Sequence, residues 1–184
     1  MQVVLASASP RRRELLAAAG VSITVDPVAV DETPLPAESP SAYVDRLARL
    51  KAVGGAARHP DSIVIGADTA VVVDGEVFGK PVDTRDARRM LRRLAGRDHE
   101  VLTAVALAGR GAVRSVVERT VVSMAALTDR QIDAYIATGE PFDKAGAYAI
   151  QGAAAPFVAG IQGSFTNVVG LPLERVLQML NELA

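Results

Sequence analysis

The start of the chain constrains the fold most, because it reads as a strand, a tight turn and a helix in immediate succession. The apolar run 3–6 leads into Ser7-Ala8-Ser9-Pro10, and an alanine-rich helical pattern follows. Ser9 is suited to cap that helix, and Pro10 suits its first position, where no N–H is needed. Arginines 11–13 on the first turn would oppose the helix dipole, and a bound phosphate chain would offset that repulsion. The turn is therefore predicted to hold phosphate.

Length and composition favour a single domain over residues 1–184. Hydrophobic residues make up 49% of the sequence, enough for a substantial core, and aromatics only 4%, so aliphatic side chains must fill it. The net charge of −1 argues against nucleic-acid binding through bulk electrostatics, and the absence of cysteine excludes disulfides and thiolate chemistry. No signal peptide or membrane-spanning run is recognisable. We expect a cytoplasmic protein with no membrane or nucleic-acid partner.

A second cap-and-proline pair, Ser39-Pro40, opens a helix that is predicted to run to about residue 57. Its apolar stripe is predicted to consist of Val44, Leu47 and Leu50. Lys51 is placed mostly off that stripe, where a lysine is usually solvated. Farther along the chain, Thr84 is predicted to cap another helix.

Runs of β-forming residues predict the strands. The buried strand 63–65 is expected to end at Gly66-Ala67-Asp68-Thr69, where side chains emerge from a sheet. Asp74-Gly75 is expected to turn a short hairpin, and the runs 101–108 and 113–124 to form a long one. Together with the helices, these strands predict an α/β fold with a mixed sheet.

Carboxylates and lysines carry the candidate chemistry, because the sequence has no P-loop, dinucleotide fingerprint or nucleophile elbow. Asp68 is equally well read as a catalytic carboxylate or as a turn aspartate. Asp31-Glu32 is more simply a solvated acidic turn, whereas Lys80, between glycine and proline, has little to pack against. As a set, two or three carboxylates could hold a divalent cation while arginine and lysine neutralise phosphate. A carboxylate would take the proton of an attacking water, so the residues alone indicate metal-assisted phosphoryl or nucleotidyl hydrolysis.

Six ordered motifs resemble those of the Maf family, known as septum-formation inhibitors and nucleoside triphosphate pyrophosphatases. The motifs are residues 7–16 (SASPRRRELL), Asp31-Glu32, 48–52 (ARLKA), 66–69 (GADT) with 79–81 (GKP), 142–148 (FDKAGAY) with 150–152 (IQG), and 163–164 (GS) with 167–172 (NVVGLP). The resemblance spans essentially the whole chain. Ala104 and Ala149 stand where the family usually has glycine, and would be strained there if the backbone needs a positive φ.

The resemblance implies a fold, a reaction and a set of site residues. The fold is a mixed, twisted sheet with flanking helices, in an elongated two-lobed molecule with a central cleft, commonly a homodimer. The reaction is hydrolysis between the α- and β-phosphates of a nucleoside triphosphate with Mg²⁺ or Mn²⁺, giving the monophosphate and pyrophosphate. Asp68 would activate water, and Glu32 and Asp68 would bind the metal. The implied phosphate ligands are Ser7, Arg12, Lys51 and Lys80, with Asp143 and Lys144 elsewhere in the cleft.

Three positions resemble the branch of the family that acts on dTTP and UTP: Arg11, Thr69 and Gln151. A glutamine amide offers a donor and an acceptor, which suits a pyrimidine edge that carries both. Modified pyrimidine nucleotides are also possible targets. Two alternatives stay open: a nucleotide-binding regulator of septum formation without important hydrolysis, and an inosine or xanthosine triphosphatase of similar fold.

Overall fold

The computed structural model describes residues 2–183, which form a mixed α/β fold. The strands are β1 (Val3–Leu5), β2 (Ile23–Val25), β3 (Ile63–Val73), β4 (Glu76–Phe78), β5 (Asp98–Gly109), β6 (Ala112–Met124) and β7 (Val158–Gln162). The α-helices are α1 (Pro10–Ala18), α2 (Pro40–Arg58), α3 (Thr84–Leu94), α4 (Asp129–Ala137), α5 (Phe165–Val169) and α6 (Leu173–Asn181). Within this part of the chain, no helix is both long enough and apolar enough to span a bilayer.

The strands form one sheet in the order β2-β1-β3-β5-β6-β7, with β4 paired to β3. β1 is parallel to both β2 and β3, whereas the pairs β3–β4 and β6–β7 are antiparallel. The predicted mixed sheet with flanking helices is therefore confirmed. Both predicted hairpins form, and Asp74-Gly75 and Arg110-Gly111 turn them with the positive φ that such tight turns need. Sequence reasoning missed β7, because its residues VAGIQ lack a clear run of strong β-formers.

Helix starts follow the predicted caps with one correction. The hydroxyls of Ser9 and Ser39 cap α1 and α2 as predicted. Asp83, rather than Thr84, caps α3, because its carboxylate accepts the N–H of Asp86 at 2.7 Å. Aspartate and threonine are both good caps, so the sequence alone did not separate two adjacent candidates.

β3 is one unbroken strand, so the prediction that a strand ends at residues 66–69 is wrong. All of its residues except Thr69 are buried. Gly66 does not end the strand; it lets the backbone of α2 come close. A Cβ at Gly66 would lie 2.2 Å from the carbonyl oxygen of Ala48 and 2.5 Å from the amide nitrogen of Ala52. A glycine inside a strand can mark such an approach, and Asp68 therefore lies within the strand and not at its end.

The buried face of α2 differs from the predicted stripe. Val44, Leu47 and Lys51 face inward, together with the small residues Ala48, Ala52 and Gly55. Leu50 is 45% exposed, so its predicted place in the core is wrong. Small side chains let the helix lie close to the sheet. This close packing determines which face of α2 is buried, and hydrophobicity alone did not predict that face.

The chain divides into two compact units. The first unit comprises Met1–Thr69, Thr103–Glu118 and Gly170–Ala184, and the second comprises Ala70–Leu102 and Arg119–Val169. Aliphatic side chains such as Leu5, Leu16 and Ile65 make the core of the first unit, as the composition predicted. In the second unit, α3 packs against α4, and both bury leucine or isoleucine side chains.

The two alanines at the family's glycine positions are not strained. Positive φ outside glycine occurs, among residues 2–183, at Ala37, Asp74, Arg110 and Ala147. Ala104 is fully buried within β5, and Ala149 lies in a turn, both with ordinary φ. Alanine can occupy both positions without the backbone penalty that a left-handed conformation would bring.

His99 is buried in the second unit beside a tyrosine. Only 3% of it is exposed, and its Nε2 lies 2.7 Å from the hydroxyl oxygen of Tyr148. The two rings meet edge to face. Burial lowers the pKa of His99 to about 4 from an ordinary 6.5, because the charged imidazolium loses its water. The neutral form therefore belongs to the folded state.

The burial of His99 predicts a loss of stability in acid. Below pH 6.5 the imidazole of His99 is protonated in the unfolded chain, but in the folded chain it stays neutral until about pH 4. The free energy of unfolding therefore falls as the pH drops through that window. We expect this histidine to account for roughly 2–3 kcal/mol of the change in unfolding free energy between pH 7 and pH 4. Urea titrations should show a flatter pH dependence in His99→Gln. An unchanged slope in His99→Gln would contradict the assignment.

Candidate active site

Lys51 lies between two carboxylates in the first unit. Its Nζ donates to Oε1 of Glu32 at 2.8 Å and to Oδ1 of Asp68 at 2.7 Å. Lys51 and Asp68 are each only 9% exposed, whereas Glu32 reaches the pair from an exposed loop. The interpretation of Lys51 as a solvated helix lysine is wrong, because two anionic partners hold the ammonium in the interior.

Asp68 is placed to act as a base. Burial raises the pKa of its carboxyl above the ordinary 3.8, and the charge and hydrogen bond of Lys51 oppose that rise. A carboxylate in such surroundings accepts a proton more readily than an exposed one, while the ammonium of Lys51 favours its ionised form. The reading of Asp68 as a turn aspartate does not fit its position within β3.

The carboxylates of Glu32 and Asp68 could also hold a divalent cation. Both accept a hydrogen bond from the same ammonium group, so they already face one positive centre. No group of three His, Cys, Asp or Glu side chains suited to a metal is found in residues 2–183. Magnesium commonly uses one or two carboxylates and takes its other ligands from phosphate and water. The donor set therefore fits a cation that arrives with a phosphate ligand.

Asp31 and Glu32 have separate roles in their loop. Oδ1 of Asp31 accepts the N–H of Thr33 at 2.9 Å, which shapes the turn. Hydrogen bonds from the side chain and the backbone of Thr33 lower the pKa of Asp31. Asp31 has no ion pair with Lys51, the contact that Glu32 makes. Asp31 thus fits the acidic-turn interpretation, whereas Glu32 is exposed in the same loop but also pairs with Lys51.

Two residues of α2 form hydrogen bonds to this loop, and the sequence did not predict either contact. The hydroxyl of Tyr43 donates to the carbonyl of Glu32 at 3.0 Å, and Arg46 donates to the carbonyl of Thr33 at 3.1 Å. Arg46 also grips Glu38 through two hydrogen bonds of 2.6 and 2.7 Å, which lower the pKa of Glu38 to about 2. The opposite charges of the loop and of α2 suggested an ion pair between them. The sequence did not show which arginine would form it, because α2 carries further arginines.

Arg12 joins distant parts of the first unit. Its Nε donates to the carbonyl of Gly170 at 2.8 Å, and Nη1 donates to Oγ of Ser7 at 3.0 Å and to the carbonyl of Ala67 at 2.9 Å. Nη2 donates to Oγ1 of Thr69 at 3.1 Å. Four of the five N–H groups of a guanidinium are thus engaged within the protein. Arg12 and Ser7 stay predicted phosphate ligands, but their first contacts are with each other and with the backbone.

Thr69 belongs to the same network. Its hydroxyl lies 3.0 Å from the hydroxyl of Thr103 and 3.4 Å from the carbonyl of Gly170, in addition to its bond with Arg12. Thr103 is fully buried in β5 and had no distinguishing signal in the sequence. The predicted selectivity residue Thr69 is therefore coupled to the predicted phosphate turn.

Arg11 and Lys80 are cations without ion-pair partners in the part of the chain that the structure describes. Arg11 is half-buried in the first turn of α1, next to the Arg12 guanidinium, and belongs to the first unit. Lys80 is exposed, follows β4 and belongs to the second unit. Both side chains are available to an anionic ligand.

The remaining predicted residues lie in the second unit. Lys144 forms an ion pair with the neighbouring Asp143. The N–H of Gly146 donates to the carbonyl of Gly79 at 3.0 Å, which brings the segment around Lys144 beside the loop of Lys80. Gln151 lies exposed in the turn that follows. This unit thus carries the predicted base-selecting amide on its surface.

Comparisons with known proteins agree on a family. Residues 2–183 match the family model described as "Maf-like protein". A relative from Symbiobacterium thermophilum, named dTTP/UTP pyrophosphatase, is 54% identical over 182 residues, covering 98% of this chain and 93% of the relative. A Geobacter sulfurreducens relative of the same name is 53% identical over 186 residues, covering 99% and 96%. A third from Nitrosospira multiformis, again of that name, is 50% identical over 196 residues, covering 100% and 95%.

Solved structures support the fold. A HAM1 protein from Coxiella burnetii aligns over 99% of both chains with a TM-score of 0.57 and 16% identity. The Staphylococcus aureus Ham1 protein aligns over 68% of this chain and 72% of its own, with a TM-score of 0.50 and 16% identity. At this level of identity the likeness concerns the fold alone.

Proposed function

The chain belongs to the Maf family, and from that membership and its site we propose that it hydrolyses dTTP and UTP to the monophosphate and pyrophosphate. The observation that carries the proposal is the buried Lys51, held between Glu32 and Asp68. The names of relatives at 50–54% identity support the same substrates. The inosine triphosphatase alternative has only a similarity of fold in its favour, and nothing in the site favours a regulator without hydrolysis.

In the proposed reaction Asp68 takes a proton from the water that attacks the α-phosphorus. The bond from that phosphorus to the oxygen bridging to the β-phosphate breaks, and pyrophosphate leaves with the electron pair. Lys51 favours the ionised form of Asp68, and Arg11 and Lys80 offer charge to the triphosphate. Gln151 would read the pyrimidine edge through its amide.

A divalent cation, Mg²⁺ or Mn²⁺, fits the proposal. Glu32 and Asp68 would hold it, since both already face one cationic centre. The cation supplies charge neutralisation to the phosphate oxygens. The homodimer, the cytoplasmic location, the modified pyrimidine substrates and the link to septum formation, which the sequence or the resemblance suggests, stay predictions.

A substrate screen tests the proposed function. We expect the purified protein with Mg²⁺ to release pyrophosphate and monophosphate from dTTP and UTP faster than from ITP, ATP or GTP. Removal of the metal with EDTA is expected to reduce the rate at least about 100-fold, and added Mg²⁺ or Mn²⁺ should restore it. Release of orthophosphate would contradict cleavage between the α- and β-phosphates. A preference for ITP would favour the alternative enzyme.

A further inference from the structure

Glu140 fastens the turn that carries Gln151. Glu140 follows α4 and opens a short 3₁₀ turn, Glu140–Asp143. One of its carboxylate oxygens, Oε2, accepts the N–H of Ala153 at 3.0 Å, and the other, Oε1, accepts the hydroxyl of Tyr135 at 2.8 Å. The tyrosine oxygen in turn accepts the N–H of Ala149 at 3.2 Å. Both ends of the turn 149–153 are therefore bonded to one connected pair of side chains.

The space around Gly152 shows how closely the carboxylate of Glu140 approaches the turn. A Cβ at Gly152 would lie 2.2 Å from Oε1 and 2.4 Å from both Cδ and Oε2 of Glu140. No side chain can occupy that space unless the carboxylate moves away. Because Gly152 has an ordinary φ, the glycine serves the approach of the carboxylate and not an unusual backbone conformation.

The hydroxyl of Tyr135 is a lasting hydrogen-bond donor to Glu140. It is only 3% exposed, and burial together with its bond to Glu140 raises the pKa of its hydroxyl. The phenol therefore stays protonated and continues to donate to the carboxylate. Its partner Glu140 is half-buried, so removal of either group would leave a poorly solvated polar atom without its bond.

We propose that Glu140, together with Tyr135, is a positioning residue for base selection, because it fixes the turn from which Gln151 reaches the pyrimidine. The side-chain amide of Gln151 is exposed and makes no hydrogen bond to residues 2–183, so hydrogen bonds of its own do not hold it in place. The backbone on both sides of it is held instead. This inference rests on the proposed function, since it assigns a role in the same substrate site.

Glu140→Gln tests the proposal with little change in volume. A glutamine has one acceptor oxygen, so either Tyr135 or Ala153 loses its acceptor whichever way the amide turns. We expect the KM for UTP to rise about 5- to 10-fold while kcat stays within about twofold. Tyr135→Phe, which removes the hydroxyl but keeps the ring, should give the same split. Glu100→Gln is the matched control, because Glu100 lies in the same unit and its carboxylate bonds to Arg119 and not to residues 149–153, so the KM should not change.

A double-mutant cycle with Gln151→Ala separates positioning from a general structural role. If Glu140 acts through Gln151, then Glu140→Gln should change the KM by less than about twofold once Gln151 is alanine. Equal effects in both backgrounds, or no effect in the wild-type background, would overturn the proposal.

Hydrogen exchange provides a readout that does not depend on activity. The amides of Ala149 and Ala153 should exchange at least about fivefold faster in Glu140→Gln than in the wild type or in Glu100→Gln. Unchanged exchange would overturn the proposed fastening even if the kinetics changed. A wild-type protein that releases no pyrophosphate from UTP would contradict the proposed function instead, and the exchange experiment would still report on the turn.

Discussion

Asp68→Asn is expected to reduce the kcat for pyrophosphate release from dTTP by about 1,000-fold, with the KM within about threefold of the wild type. Asparagine has nearly the same volume as aspartate, and its amide oxygen can still accept the hydrogen bond of Lys51, which is 2.7 Å in the wild type. It cannot take a proton from water. The loss should therefore fall on the chemical step and not on nucleotide binding, in steady-state assays at saturating metal.

Asp31→Asn is the matched control for this experiment. Asp31 belongs to the same acidic loop as Glu32, but its carboxylate accepts the N–H of Thr33, a bond that asparagine can also make. We expect kcat to stay within about twofold of the wild type. Full activity in Asp68→Asn would rule out its role as the base. An equal loss in Asp31→Asn would show that the overall charge of the loop, and not one carboxylate, governs the rate.

Gly66→Ala is expected to lower the free energy of unfolding by about 4 kcal/mol, or to prevent folding. The added methyl group would lie 2.2 Å from the carbonyl oxygen of Ala48 and 2.5 Å from the amide nitrogen of Ala52. Both atoms belong to the backbone of α2, so no side chain can rotate to make room. The helix would have to move away from β3, and Lys51 would move with it. Urea denaturation or the yield of folded protein measures the effect.

Gly160→Ala controls for the general effect of placing alanine where a strand has glycine. Gly160 lies in β7, and a Cβ there would meet nothing within 4 Å. Its φ is not positive, so we expect the stability to stay within about 1 kcal/mol of the wild type or to rise slightly. Wild-type stability in Gly66→Ala would mean that α2 does not pack against β3 as closely as described.

Local signals in the sequence predicted the local structure well. The caps Ser9 and Ser39, the turn at Asp74-Gly75 and the long hairpin of runs 101–108 and 113–124 depend on neighbouring residues, and all four formed. The continuity of β3 could not be predicted in this way. Gly66 reads as a strand end until α2, which comes from an earlier part of the chain, is known to lie against it.

The candidate site shows the same division between local and distant information. The motifs predicted where Glu32, Lys51 and Asp68 occur, but a lysine on a helix is normally solvated. Its burial depends on two carboxylates that are 19 and 17 residues away. Tyr43 and Glu140 were missed because each acts through a backbone group of another segment, and such contacts leave no pattern in the sequence.

The guanidinium of Arg12 has a consequence for the order in which the molecule can be assembled during synthesis. The turn at Ser7 is synthesised well before Gly170, yet Arg12 bonds to the carbonyl of Gly170, 158 positions later. Contacts of such long separation form only after the intervening chain has been made and brought together. A chain that has not yet reached Gly170 therefore carries the proposed phosphate turn without this buried hydrogen bond, and the turn can take its final shape only after Gly170 has been made.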